Sequence, residues 1–154
     1  MDLAPGFRDL LEELARGDVA LVLVGGYAVA FHGRPRATKS IDLVLGGSPE
    51  NLGRAADALA RFGAPRDVVD SVRTLAPTEV AFIGQPPLPV DFLRTIDGVT
   101  PEALFAHAVP AELDGVAVKV ISLDDLIANK RAAARPQDLI DADYLERMRA
   151  TPRR

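Results

Sequence analysis

Apolar residues recur at helical spacing over Phe7, Leu10, Leu11 and Leu14, with Gly17 behind them, which predicts an amphipathic helix over residues 6–16. Val19 to Val24 is instead an unbroken apolar run, the mark of a buried strand, and it ends in Gly25-Gly26. Tyr27 to His32 continues as a short helix closed by Gly33, residues 34–40 form a polar, basic loop, and Ile41 to Leu45 is a second strand stopped by Gly46-Gly47. Ser48-Pro49 is a helix start, a capping hydroxyl with proline at the first helical position; Leu52, Ala56 and Leu59 give the stripe and Gly63 the stop. Residues 64–78 carry no decisive period.

Val80 to Ile83 and Leu88 to Leu93 read as strands joined by a turn at residues 84–87. Thr100-Pro101 opens a short helix, and Asp114-Gly115 between alternating stretches marks a hairpin over residues 111–121. Ser122 to Asp125 is a capping box for a helix reaching Ala134; Arg135-Pro136 breaks it, and a last helix covers 137–149. This order of helices and strands predicts an α/β fold, a mixed sheet flanked by helices with a helical C-terminus. Residues 1–150 read as one domain and 151–154 as a disordered tail.

Composition narrows the chemistry. The 154 residues include no cysteine, which excludes disulfides, thiolate metal clusters and a cysteine nucleophile. Eighteen basic residues against 22 acidic ones give a net charge of −4, so the chain is no bulk polycation, and any nucleic-acid or nucleotide site is a local patch. No apolar run approaches the roughly 18 residues that cross a bilayer, and the first twenty residues lack the basic and apolar regions of a signal peptide. A cytoplasmic protein with no membrane contact is expected.

Gly25-Gly26, between a buried strand and a helix, suits either a plain tight turn or a turn whose free amides meet an anion such as phosphate. Strand alternation sets Ile41 and Leu43 on one face and Ser40 and Asp42 on the other; likewise Val90 and Phe92 oppose Asp91. If the two strands are neighbours, Asp42 and Asp91 converge on one divalent cation, or, without one, repel and raise a pKa. Each aspartate alone also suits a strand-end acid bonded to nearby amides. Arg34, Arg36 and Lys39 precede Asp42 in a loop that either meets a polyphosphate or is simply solvated. Lys130 falls in the apolar stripe of Leu123, Leu126 and Ile127, so it must snorkel, pair or reach a cavity; Asp138 and Asp141 are available partners. His32 and His107, at helix ends, have no Ser or Asp at motif spacing, so a catalytic triad is unsupported.

The stretch VGGYAVAFHGRPRATKSIDLVL resembles the signature of nucleotidyltransferases with the DNA polymerase β-type fold: an apolar residue, Gly-Gly or Gly-Ser, a spacer, then two acids in an acid–apolar–acid–apolar run. Thirteen residues separate Gly26 from Ser40, at the upper edge of the permitted spacer. VDFLRTIDG and ISLDDLIANKRAAARPQDLIDADYL are similar to the third-acid strand and C-terminal helices of small bacterial members, the abortive-infection (AbiEii-type) toxins and their single-domain relatives. The resemblance covers residues 19–147 and implies transfer of a nucleoside monophosphate from an NTP to an acceptor, assisted by Mg²⁺ or Mn²⁺. It implies that Gly25 and Gly26 form the phosphate turn, that Asp42 and Asp91 bind metal, and that Lys39 and Lys130 contact phosphates. Arg36, Arg135, Asp138 and Asp141 are further candidates.

The chain departs from the pattern at Ser40, which stands where the first acid is expected. A neutral ligand there lowers metal affinity and rate, so the expectation is an attenuated enzyme, one with altered metal geometry, or an inactivating substitution. The alternatives are a catalytically silent nucleotide-binding module, one partner of a toxin–antitoxin-type pair, and a purely structural domain. RNA, a protein hydroxyl and a small molecule all stand as acceptors, and a cognate partner protein or a homodimer as an assembly.

Overall fold

Leu21–Val24, buried at all four positions, forms β1 near the middle of a six-stranded mixed sheet. The computed structural model describes residues 5–34, 40–84 and 89–151. Arg36, Lys39, the turn residues 85–88 and residues 152–154 of the expected tail therefore lie outside the described residues.

Along the described chain the elements are α1 (Pro5–Arg16), β1 (Leu21–Val24), α2 (Gly25–Phe31), β2 (Ile41–Leu45), α3 (Pro49–Phe62), α4 (Arg66–Arg73), β3 (Ala81–Ile83), β4 (Val90–Leu93), α5 (Pro101–His107), β5 (Val109–Leu113), β6 (Val116–Val120), α6 (Leu123–Ala133) and α7 (Pro136–Ala150). The strand order is β3-β4-β2-β1-β6-β5. β2 runs antiparallel to β1 and parallel to β4, while β6 runs parallel to β1. Each edge is a hairpin, β3 on β4 and β5 on β6. The α/β reading of the sequence is thus the observed fold.

The helix starts follow their caps. The Ser48, Thr100 and Ser122 hydroxyls accept from the backbone N–H groups of Asn51, Ala103 and Asp125, satisfying donors that the first turn leaves unpaired. α3 ends at Gly63, whose φ of 96° is the left-handed stop. Thr151 closes α7, its N–H donating to the Met148 carbonyl.

Several elements differ from the sequence pattern: α2 takes in Gly25-Gly26, expected as a turn, and β3 starts at Ala81 rather than Val80. Residues 64–78 contain α4, which buries Val68, Val69 and Val72. β1 begins at Leu21 rather than Val19, because the Asn51 side chain takes the place of a strand neighbour at Ala20. It accepts from the Ala20 N–H at 2.7 Å and donates to the carbonyls of Ala20 and Gly46 at 2.9 and 2.8 Å. Fully buried residues from Phe7 of α1 to Leu145 of α7, including Leu23, Leu43 and Phe92 from the sheet, form one contiguous core.

Candidate active site

The register of three strands sets the site. Val24 of β1 opposes Asp42 of β2, and Asp42 lies beside Asp91 of β4. In-register neighbours point to the same face, so the two carboxyl groups stand together. They stand close enough that a proton held by Asp42 can be shared with Asp91. Burial first, then that sharing and the repulsion of Asp91, push the Asp42 carboxyl up to about 6, against the opposing pull of Lys130 and Arg135.

Gly25 explains its own residue type. Its φ is 72°, and a Cβ on it would overlap the Asp42 carboxyl. Glycine here lets the acid sit close against the junction where β1 passes directly into α2. Gly26, which follows inside α2, is not among the residues lining the cavity around the acids. That cavity, about 370 Å³, is walled by Val24, Gly25, Asp42 and Asp91, by Asp97 and Asn129, and by Lys130, Arg135 and Asp138 among others.

The basic side of the cavity is an ion-pair chain between α6 and α7. Lys130 is buried at 6% exposure, and its Nζ lies 3.1 Å from Asp138 Oδ1 and 3.4 Å from Asp141 Oδ2. Arg135 donates from Nε to Asp138 Oδ2 at 2.6 Å, and its backbone N–H reaches the same oxygen at 3.3 Å, half of a capping box at the start of α7. Burial acts to raise the Asp138 carboxyl, but hydrogen bonds from Arg135 and Lys130 outweigh it and hold the group below the usual carboxylate range. The same contact with Asp138 pushes the Arg135 guanidinium further up.

Asp141 is fully buried; it accepts from Gln137 at 3.0 Å and pairs with Arg34 Nε at 3.0 Å, while the Arg34 guanidinium stacks 4.8 Å above the Tyr144 ring. Lys130 thus both pairs and lines the cavity, two of the three possibilities its sequence position left open. Asp138 and Asp141 face this lysine, and Arg34 is engaged with α7.

Of the remaining candidates, Ser40 precedes β2, half-buried and outside the cavity lining. His32 Nε2–H donates to the Ile121 carbonyl at 2.7 Å, and His107 Nδ1 lies 3.0 Å from Asp125; neither lines the cavity. Pattern reading missed Thr95, Asp97 and Asn129. Asn129 Nδ2 donates to the Asp97 carbonyl at 2.9 Å, so the residue just before Lys130 fixes the turn that carries a third cavity carboxylate. The Asp97-Gly98 pair signals that turn in the sequence, though nothing in its spacing ties it to Asp42. A separate cavity of about 390 Å³, lined by Leu11, Val22, Phe105 and Val118 among others, has mostly apolar walls with Lys119 and no acid. The converging charged groups make the smaller cavity the chemical one.

The sequence profile of the nucleotidyl transferases of unknown function (DUF2204) matches residues 5–152. The chain belongs to this nucleotidyl transferase family. Two solved structures share its fold. A candidate nucleotidyltransferase of Thermotoga maritima superposes with a TM-score of 0.58 at 15% identity, over 92% of this chain and 89% of that one. An antigenic nucleotidyltransferase-like protein from Paracoccidioides brasiliensis gives 0.53 at 15% identity, over 90% and 72%. No curated protein matches the sequence.

Among the described residues no group of three or more His, Asp or Glu side chains forms a metal cage. Two adjacent carboxyl groups, one of them unusually avid for a proton, suit a hard cation that completes its shell with water and phosphate oxygens, the habit of Mg²⁺. Among the described residues no helix is long and apolar enough to cross a membrane.

Proposed function

We propose that this nucleotidyl transferase moves a nucleoside monophosphate from an NTP to an acceptor hydroxyl, at a rate lowered by Ser40. The observation that carries the reading is the in-register pair Asp42 and Asp91 in a cavity that also holds Lys130 and Arg135. Asp42 and Asp91 hold Mg²⁺ or Mn²⁺, which when bound neutralises charge developing on the phosphates. Gly25 keeps Asp42 in place, and the Arg135 and Lys130 cations face the triphosphate. Asp138 and Asp141 restrain Lys130, so that its ammonium is oriented before substrate arrives.

In the transfer, the acceptor oxygen bonds to the α-phosphorus, the bond to pyrophosphate breaks in line with it, and the hydroxyl proton leaves to solvent. RNA, a protein hydroxyl and a small alcohol are the acceptor classes, in a cytoplasmic setting.

A second reading is favoured by one specific observation, the neutral Ser40 in place of an acid. On it the protein is a silent nucleotide-binding module, or one half of a toxin–antitoxin-type pair. Calorimetry with Mg²⁺ or Mn²⁺ and each NTP, followed by transfer of label from α-labelled NTP to each acceptor class, separates the two. Metal-dependent binding with labelling supports the enzyme, and binding without labelling supports the module. A protein that binds no NTP overturns both.

A further inference from the structure

Phe82 is the most exposed large apolar side chain among the described residues, at 60%. An aromatic ring left in water forgoes a substantial burial energy, so its position calls for a reason. It lies on β3, directly opposite Asp91 of β4, which in turn lies beside Asp42 of β2. Val24, Asp42, Asp91 and Phe82 therefore form one row across four strands, on one face of the sheet. Paired residues on neighbouring strands have Cβ atoms about 5 Å apart, so Phe82 is rooted about 5 Å from Asp91 and about 10 Å from Asp42.

The ring leans along its own strand over Gly84, where a Cβ would come 2.9 Å from Phe82 Cε2. Any larger residue at 84 would tip the ring off the sheet. Glycine lets it lie down and show its flat side.

We propose that Phe82 is a stacking platform for a nucleobase of the substrate, beside the phosphate-handling acids. The inference rests on the nucleotidyl-transfer reading above and adds the group that recognises the base. A nucleotide whose phosphate is held at Asp42 and Asp91 reaches Phe82 within its own length. Stacking needs only a π-face, so the platform accepts any base. A protein partner is the poorer occupant: β3 is three residues long, Val80 is its one exposed apolar neighbour, and a carboxyl borders the ring. A stable protein interface buries about 800 Å² on each side, far beyond such a patch.

Calorimetry with Mg²⁺ tests this on the wild type, Phe82→Leu and Phe82→Trp, using ATP, a short oligoadenylate RNA and tripolyphosphate. Tripolyphosphate has no base and is the control in each protein. The expected result is that wild type binds ATP or the RNA more tightly than tripolyphosphate, and that Phe82→Leu loses about tenfold of that margin. Phe82→Trp keeps it. A margin lost with ATP identifies the donor base, and one lost with the RNA alone the acceptor base. Equal margins in wild type and Phe82→Leu, or an equal loss in the Leu and Trp variants, overturn the proposal and leave the transfer reading standing. A wild type that binds neither ATP nor tripolyphosphate overturns both. A dimer in sedimentation that Phe82→Leu dissociates while the base margin stays the same overturns the stacking platform alone.

Discussion

Asp42 holds its proton more tightly in the folded chain than in the unfolded one, about 6 against 3.8. A carboxyl raised in this way contributes stability that is complete below pH 3.8 and is lost as pH rises through 6. Asp42→Asn removes the cost of holding the charge. Without divalent cation, the variant is expected to exceed wild type by about 3 kcal/mol well above pH 6, with the gap closing below pH 3.8. Urea titrations at both ends of that window check it, and a gap independent of pH counts against the burial of Asp42. Ser40 is the second residue with a clear expectation. Restoring a carboxylate, Ser40→Asp, should raise metal-dependent labelling at least about tenfold, or roughly 1.4 kcal/mol in barrier. An unchanged rate in a folded, nucleotide-binding variant would move the site elsewhere.

At the scale of elements, the packing of α6 on α7 depends on Lys130. Removing one partner of a buried ion pair leaves charge uncompensated, which costs more than the pair itself contributes. Lys130→Met is expected to lower stability by about 3 kcal/mol, since Asp138 and Asp141 keep Arg135 and Arg34 but lose their shared cation. Denaturant midpoints measure it, and a loss within about 0.5 kcal/mol, the size of a surface change, would show the chain of charges to be ornamental.

The same elements show what the residue pattern reveals. The strands carrying Asp42 and Asp91 are readable because each acid interrupts an apolar run at period two. Helix α4 is not: its buried residues are three valines, β-branched and poor helix formers, within eight residues dominated by charge. The partnership of Asp97 and Asn129 is invisible for another reason. It depends on a turn docking against a helix 32 positions away, a tertiary fact without local periodicity.

The molecule as a whole shares one core from α1 to α7, reaching both halves of the sheet. Cooperative unfolding is therefore expected, with residues 1–150 behaving as one domain. Its two tyrosines report separate regions: Tyr27 meets Phe7 edge-on at 5.7 Å, and Tyr144 lies beneath Arg34. Tyrosine fluorescence and far-ultraviolet circular dichroism should give superimposable urea curves. Two separated transitions would divide the chain into independent units.

The Asn51 clamp has a chemical consequence for the ageing of this protein. Its amide nitrogen is the donor to both the Ala20 and Gly46 carbonyls. Hydrolysis of that amide to a carboxylate would turn a donor into an anion pressed against two oxygen lone pairs. A single slow deamidation event would thereby unfasten the entrance to β1 and the exit of β2 together.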